Sequence, residues 1–232
     1  MQVRDSVAFV TGANRGLGLA FARALLAAGA RKVYAGVRDP AGLREPGLVP
    51  IGLDLTRTGE IEAAARDCGD VNLLVNNAGV AERQAFLAAD ALQAARLEME
   101  THFFGPLVLS RAFAPVLAAN GGGAIVNVLS VLSWLNVPQF ATYSASKSAA
   151  WSLTNGLRGE LRAQGTRVLA LHVGFMNTDM VSDIVAPKAA PLDVARQVIE
   201  ALASGSDEVL ADDFTRQVKQ GLSSEPGIYM GP

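Results

Sequence analysis

The side chains with the most chemistry to offer are Ser130, Tyr143 and Lys147. Tyr143 and Lys147 stand in a Tyr-x-x-x-Lys spacing at the start of a helical pattern, so they share one face, one turn apart. A phenol with an ordinary pKa near 10 exchanges protons poorly at neutral pH. A lysine cation beside it favours the phenolate. At about 4 Å and an effective dielectric near 20 the attraction is about 4 kcal/mol, an upper end of about three pKa units. Ser130 follows an apolar strand-like run, at the edge where α/β sheets place ligands, and its hydroxyl could donate to a substrate oxygen beside Tyr143. Tyr-x-x-x-Lys alone is a common chance pairing, and Ser130 has Ser133, Ser144, Ser146 and Ser148 as neighbours. The order carries the signal: a glycine turn, then a strand-end serine, then Tyr-x-x-x-Lys.

The glycine turn is Thr11-Gly12-Ala13-Asn14-Arg15-Gly16-Leu17-Gly18, between an apolar strand and a helix. Gly12 permits the tight turn, Gly16 lets the backbone approach a pyrophosphate, and Gly18 lets the helix pack close to the sheet. The N–H groups that open the helix then face the phosphates. The spacing is G-x-x-x-G-x-G after threonine, not the usual G-x-G-x-x-G, and a ligand-free strand–helix turn is the alternative. The residue ending the second strand chooses the cofactor: an acid grips a ribose 2′-hydroxyl, a base accepts a 2′-phosphate. Arg38 lies about 20 residues past Gly18, and Arg15 sits in the turn itself, so two guanidiniums could clamp one phosphate. NADPH or NADP+ is therefore expected over NADH. Asp39 is the counter-argument, because Arg38 could be a solvated charge paired with it. Asp54-Leu55 follows the third strand, where a carboxylate suits either an adenine amino group or a turn or N-cap before Thr56. A cationic nicotinamide would add to Lys147 in favouring the phenolate.

The elements that must hold these residues read as follows. Strands are expected over 7–11, 32–36, 49–53, 72–75, 124–129, 167–172 and 208–210, with helices near 16–28, 58–67, 88–119, 142–164 and 191–203. The strands are mostly continuous apolar runs, as in a parallel sheet covered on both faces. Their alternation with helices gives a doubly wound, Rossmann-type α/β fold: one domain over 1–232, with helices on both faces of about seven strands. Pro106 and Pro115 fall inside the 88–119 helix, so a kink or break is expected near Gly105-Pro106. The tail around Ser223–Gly227 reads as irregular.

Composition narrows the classes. With 50% hydrophobic and 18% charged residues and a net charge of −2, nucleic acid and anionic membrane partners are not expected. No run of about 18 apolar residues suggests a spanning helix, and the first apolar stretch stops too early for a signal peptide. Cys68 is the one cysteine, which leans toward a cytoplasmic setting. No metal is called for.

Taken together, Thr11-Gly12-x-x-x-Gly16-x-Gly18, Asn76-Asn77-Ala78-Gly79, Ser130 and Tyr143-x-x-x-Lys147 resemble the short-chain dehydrogenase/reductase family over nearly the whole chain. The resemblance implies that Tyr143 is the general acid/base and that Ser130 orients the substrate. It implies that Lys147 binds the ribose and lowers the Tyr143 pKa. Asn76-Asn77-Ala78-Gly79 would support the central sheet and the adenosine ribose, although by itself it reads as a plain turn. Two departures stand out. Where the family carries Asn-x-x-Gly-Pro, thought to hold a proton-relay water, this chain has His102-Phe103-Phe104-Gly105-Pro106. His102 either keeps that relay or only satisfies a kinked backbone. After the sixth strand the usual Pro-Gly is Val173-Gly174, with Thr178 matching the residue that contacts the nicotinamide carboxamide.

The expected cleft walls are Leu132, Trp134, Phe140, Phe175 and Met176, of which at least two should belong to the core. Walls this apolar suit an aryl or alkyl ketone or aldehyde better than a phosphorylated sugar. The short stretch from Asp179 to Ala190 predicts a short lid, an open pocket and a broad substrate range. Resemblance also implies pairing of the 88–119 and 142–164 helices across a homodimer or homotetramer interface; a buried internal packing face is the alternative. Two rival classes remain: a non-catalytic NADP(H)-binding redox sensor, and a methyltransferase with a similar glycine turn. The Tyr-x-x-x-Lys run argues against both.

Overall fold

A computed structural model describes residues 1–230. The first strand, β1 (Val7–Thr11), is an unbroken buried run, Val-Ala-Phe-Val-Thr, inside the sheet and paired on both sides. It feeds α1 (Gly16–Ala27), followed by β2 (Lys32–Val37), β3 (Leu48–Gly52), α2 (Thr58–Asp67) and β4 (Leu73–Asn76). The second half holds α3 (Ala91–Met99), α4 (Gly105–Ala119), β5 (Ala124–Val128), α5 (Ala141–Glu160), β6 (Arg167–His172), α6 (Pro191–Ser204), β7 (Glu208–Leu210) and α7 (Asp213–Gly221). All seven strands pair in parallel, in the order β3-β2-β1-β4-β5-β6-β7. The fold is therefore the expected Rossmann-type sheet. The chain winds outward from β1 to β3, then returns to β4 on the other side, which leaves a crevice at the strand C-termini.

Apolar layers fill both faces. Phe21, Leu25, Val194 and Val198 of α1 and α6 cover one face; Ile61, Leu109, Phe113 and Leu157 of α2, α4 and α5 cover the other. The expectation of two covered faces fails at β3, an edge strand whose Val49 and Pro50 are exposed.

Two departures bear on the site. The 88–119 stretch is not one α-helix: α3 and α4 are joined by a π-helical turn, Glu100–Phe104. The Gly105 N–H reaches back to the Glu100 carbonyl, and Pro106, with no N–H, opens α4. Pro115 lies inside α4 without ending it. This 29-residue helical run, Ala91–Ala119, is also long and apolar enough to cross a membrane by length and composition alone, although it contains no unbroken run of about 18 apolar residues. Here it packs against α2 and α5 as part of the fold. Finally, α7 had no counterpart in the sequence reading. Asp212 caps it by accepting the Thr215 N–H at 2.8 Å.

Candidate active site

A cleft of about 1080 Å³ opens along the C-terminal edge of the sheet. Its lining includes every residue proposed from sequence for the cofactor: Gly12, Asn14, Arg15, Gly16, Leu17, Gly18, Arg38, Asp54, Leu55, Asn77, Ala78, Gly79, Tyr143, Lys147, Gly174 and Thr178. Ser130 and His102 line it too, as do Leu132, Phe140, Phe175 and Met176.

The cofactor end is built from main chain. Gly12 and Gly16 hold left-handed φ values of 67° and 54°. A Cβ on Gly18 would lie 2.1 Å from the Gly12 carbonyl oxygen. No side chain caps the start of α1, so its first N–H groups face the cleft mouth. The Thr11 hydroxyl accepts the N–H of Asn77 and of Ala78, each at 2.9 Å, and Asn77 Nδ2 donates to the Thr11 carbonyl at 2.8 Å. Thr11 thereby locks the glycine turn to the segment after β4, a role the sequence reading missed. This cradle of bare backbone fits a pyrophosphate.

Arg38 is exposed at the rim and makes no ion pair among the described residues. Asp39 instead accepts the Gly42 N–H at 3.1 Å, capping its own turn. Arg15 stands 3.4 Å from Asp179 in an exposed pair. Asp54 takes the turn role: one carboxylate oxygen accepts the Thr56 N–H and hydroxyl at 3.0 and 2.8 Å, which holds its pKa below the usual carboxylate range.

The catalytic end is held by side chains. Lys147 is buried, and its ammonium donates to the Val128 carbonyl at 2.9 Å and lies 5.6 Å from the Tyr143 ring centroid. Burial lowers the Lys147 pKa to about 8. Tyr143 departs from the sequence expectation: burial raises its phenol, the Ser130 hydroxyl opposes this, and Glu98 adds to it. In the protein's own field desolvation of the phenolate outweighs any help from Lys147, whose charge is itself penalised by burial. Ser130 Oγ accepts the Leu132 N–H at 3.1 Å, which sets the serine at the start of a short 3-10 turn, Val131–Ser133.

His102 is fixed by its partners. Ser146 Oγ spends its proton on the Tyr143 carbonyl at 2.7 Å, so His102 Nδ1–H must donate to Ser146 Oγ at 2.8 Å, and Nε2 accepts the Val80 N–H at 3.2 Å. Burial holds the imidazole neutral, its pKa well below the ordinary value. Both nitrogens are taken, so the ring has none left for a relay water. The backbone it meets is the Val80 segment after β4, not the kinked Glu100–Phe104 turn. A cavity of about 10 Å³ lies between Asn76, His102, Asn127 and Lys147, room for about one water.

Trp134 corrects the expected wall. It does not line the cleft; its ring stacks at 3.9 Å on buried His172 and lies 6.2 Å edge-on from Trp151. The turn after Ser130 rotates it behind the strand end, and Leu135 and Val137 line the cleft instead. His172, which the sequence reading passed over, contacts the Ser130 carbonyl through Nδ1 at 3.2 Å. Asp212 accepts the Gly174 N–H at 2.7 Å and so pins the loop that lacks the expected proline. Asn127 donates to Thr154 at 2.9 Å and accepts from Asn76 at 2.7 Å, a buried amide chain whose only sequence signal is a polar residue inside an apolar strand.

The family model described as short chain dehydrogenase matches residues 6–189. The chain belongs to the short-chain dehydrogenase/reductase family. This oxidoreductase is 43% identical to a short chain dehydrogenase from Burkholderia cenocepacia solved in complex with NADP, with a TM-score of 0.93 over 97% of this chain and 96% of that one. It is 31% identical to dehydrogenase/reductase SDR family member 7B of Danio rerio over 98% of this chain and 81% of the relative. A Burkholderia phymatum family member in complex with NAD shares the fold at 24% identity and a TM-score of 0.81, covering 96% of this chain and 95% of that one. The bare-backbone cradle of this dehydrogenase/reductase fits a nicotinamide dinucleotide such as those in the two solved complexes.

Proposed function

We propose that this dehydrogenase/reductase moves a hydride between NADP(H) and a ketone, an aldehyde or a secondary alcohol, with Tyr143 as general acid/base. The observation carrying this reading is the convergence of Tyr143, Lys147 and Ser130 on one cleft whose other end is the glycine cradle. The bound dinucleotide supplies or accepts the hydride and, when oxidised, a positive charge. Ser130 Oγ already accepts the Leu132 N–H, so its proton is free for a substrate oxygen. Burial keeps Tyr143 protonated, the form in which a general acid begins carbonyl reduction, and the positive charges of Lys147 and an oxidised dinucleotide would be needed to ease its release of the proton. Lys147 anchors the ribose side and, with its lowered pKa, loses its own proton readily.

Support for NADP(H) over NAD(H) comes from Arg38, free at the rim while Asp39 is occupied by its own turn, and from the NADP complex of the Burkholderia cenocepacia relative. The substrate side is apolar: Leu132, Leu135, Phe140, Phe175 and Met176 are joined by Phe214 of α7. Arg83, whose guanidinium lies 5.7 Å from the Phe140 ring centroid, is already paired with Asp183 at 2.6 Å. A neutral lipophilic carbonyl compound fits such walls. Exposed Leu92, Leu97 and Phe104 on the α3–α4 run support a homodimer or homotetramer, which light scattering would measure.

The test is NADPH oxidation over a panel of ketones and aldehydes. Tyr143→Phe should lower kcat by about 10³-fold. Arg38→Asp should weaken NADPH binding by more than about tenfold while sparing NADH; equal effects on both would remove the NADP assignment. Tight NADPH binding with no turnover of any carbonyl would favour the sensor reading.

A further inference from the structure

Two backbone N–H groups in the segment after β4 are accepted by side chains of the α3–π run. Val80 donates to His102 Nε2 at 3.2 Å, and Glu82 donates to Glu98 Oε1 at 2.9 Å. Glu98 is fully buried and His102 nearly so. Both acceptors also reach α5. His102 meets Ser146 at 2.8 Å, and Glu98 lies beside the Thr142 hydroxyl. Thr142 in turn donates its N–H and its hydroxyl to the Gln84 carbonyl, at 3.2 and 3.4 Å. Thr142 and Ser146 each immediately precede one of the catalytic pair, Tyr143 and Lys147.

We propose that Glu98 is a positioning residue for Tyr143 and Lys147, forming with His102 a two-rung clamp between the Val80–Gln84 segment and α5. This rests on the reading of Tyr143 as the acid/base. The clamp joins the two surfaces that must meet a substrate in register: Val80, Ala81 and Glu82 line the cleft on one side, Tyr143 on the other. The His102 ring also packs edge-on against the Tyr143 ring at 5.3 Å. Packing alone gives no reason for an acid here. Glu98 Oε2 is buried with no partner, so an apolar side chain of similar volume would cost the fold less.

The experiment compares Glu98→Leu, Glu98→Ala and Glu98→Gln in the full chain. Two readouts are taken: amide exchange of the Val80–Gln84 segment, and steady-state kinetics with NADPH and a ketone. In the Leu and Ala variants, Glu82 amide exchange should rise at least about tenfold. Their kcat should fall at least about tenfold, with KM and NADPH affinity within about threefold. Glutamine keeps the acceptor oxygen and should restore both readouts. Unchanged exchange and kcat in both apolar variants would overturn the clamp, and so would a Gln variant that restores neither. Having two apolar variants guards against one that fails to fold. If the wild type turns over no carbonyl, the proposed reaction falls, while the exchange readout still decides whether Glu98 holds the segment.

Discussion

The two ends of the cleft are held by different parts of the chain. At the glycine cradle the constraint is mostly main chain against main chain, with the Thr11 hydroxyl and the Asn77 amide as the side-chain ties between the turn and the segment after β4. At the catalytic end the ties are side chains: Lys147 to Val128, His102 to Val80 and Ser146, Asn127 to Asn76 and Thr154. A backbone-limited site should fail abruptly at a few positions. A side-chain-limited site should fail in graded steps, each set by the polar groups left unpaired.

The largest effect should come at the cradle. In Gly18→Ala the new Cβ would lie 2.1 Å from the Gly12 oxygen and 2.6 Å from Asn77 Nδ2, so α1 must move off the turn. Loss of at least about 3 kcal/mol of stability is expected, as for an overpacked core. NADPH affinity should drop at least about 100-fold, because the displaced N–H groups are those that would meet phosphate. Fluorescence titration and urea unfolding measure both. Affinity within threefold of wild type would break the comparison.

At the catalytic end the largest effect should belong to Lys147 and should depend on pH. Its folded pKa, about 8, lies below the ordinary 10.5. Between those values the unfolded chain binds more protons than the folded one, so this group makes stability rise with pH. Below pH 8 its buried charge costs roughly 3 kcal/mol, a cost that disappears by about pH 10.5. Lys147→Met should therefore be the more stable protein at pH 7, with the gap closing as pH rises. A gap independent of pH would mean that the ammonium is not desolvated.

A smaller, graded loss should follow Asn127→Ala. The substitution leaves Asn76 Nδ2 without its partner in a buried layer and takes one donor from the Thr154 hydroxyl of α5, which keeps its bond to the Ala150 carbonyl. About 2 kcal/mol is expected by urea unfolding. A change under about 0.5 kcal/mol would show that water replaces the amide.

The same contrast explains what was legible in the sequence. Glycines at a backbone-limited turn announce themselves by spacing, and β1 and its parallel neighbours do so by continuous apolar runs. Pro106 signalled an interruption between α3 and α4, but not its π-helical form, which depends on the Glu100 carbonyl finding the Gly105 N–H. Glu98 looks like any surface acid on a helix; its burial arises only when a segment distant in sequence folds over it. Trp134 was read as a wall because it follows Ser130, whereas its direction is set by a turn and by His172 from another strand. α7 is short, and its cap at Asp212 also serves Gly174, a contact no local pattern contains.

The smallest effect tests whether a side-chain tie matters when water can reach it. Arg83, at a left-handed φ of 54°, pairs with Asp183 at 2.6 and 2.9 Å, bonds the Met180 carbonyl, and lies 5.7 Å from the Phe140 ring centroid. It joins the segment after β4 to the stretch between Thr178 and α6. Asp183 is 65% exposed, however, so solvent screens the pair. Asp183→Ala should change stability by less than about 1 kcal/mol, and less still at high salt. A loss comparable to that of Asn127→Ala would show that exposure does not weaken ties at this end of the cleft. The grading by buried, unpaired groups would then be wrong.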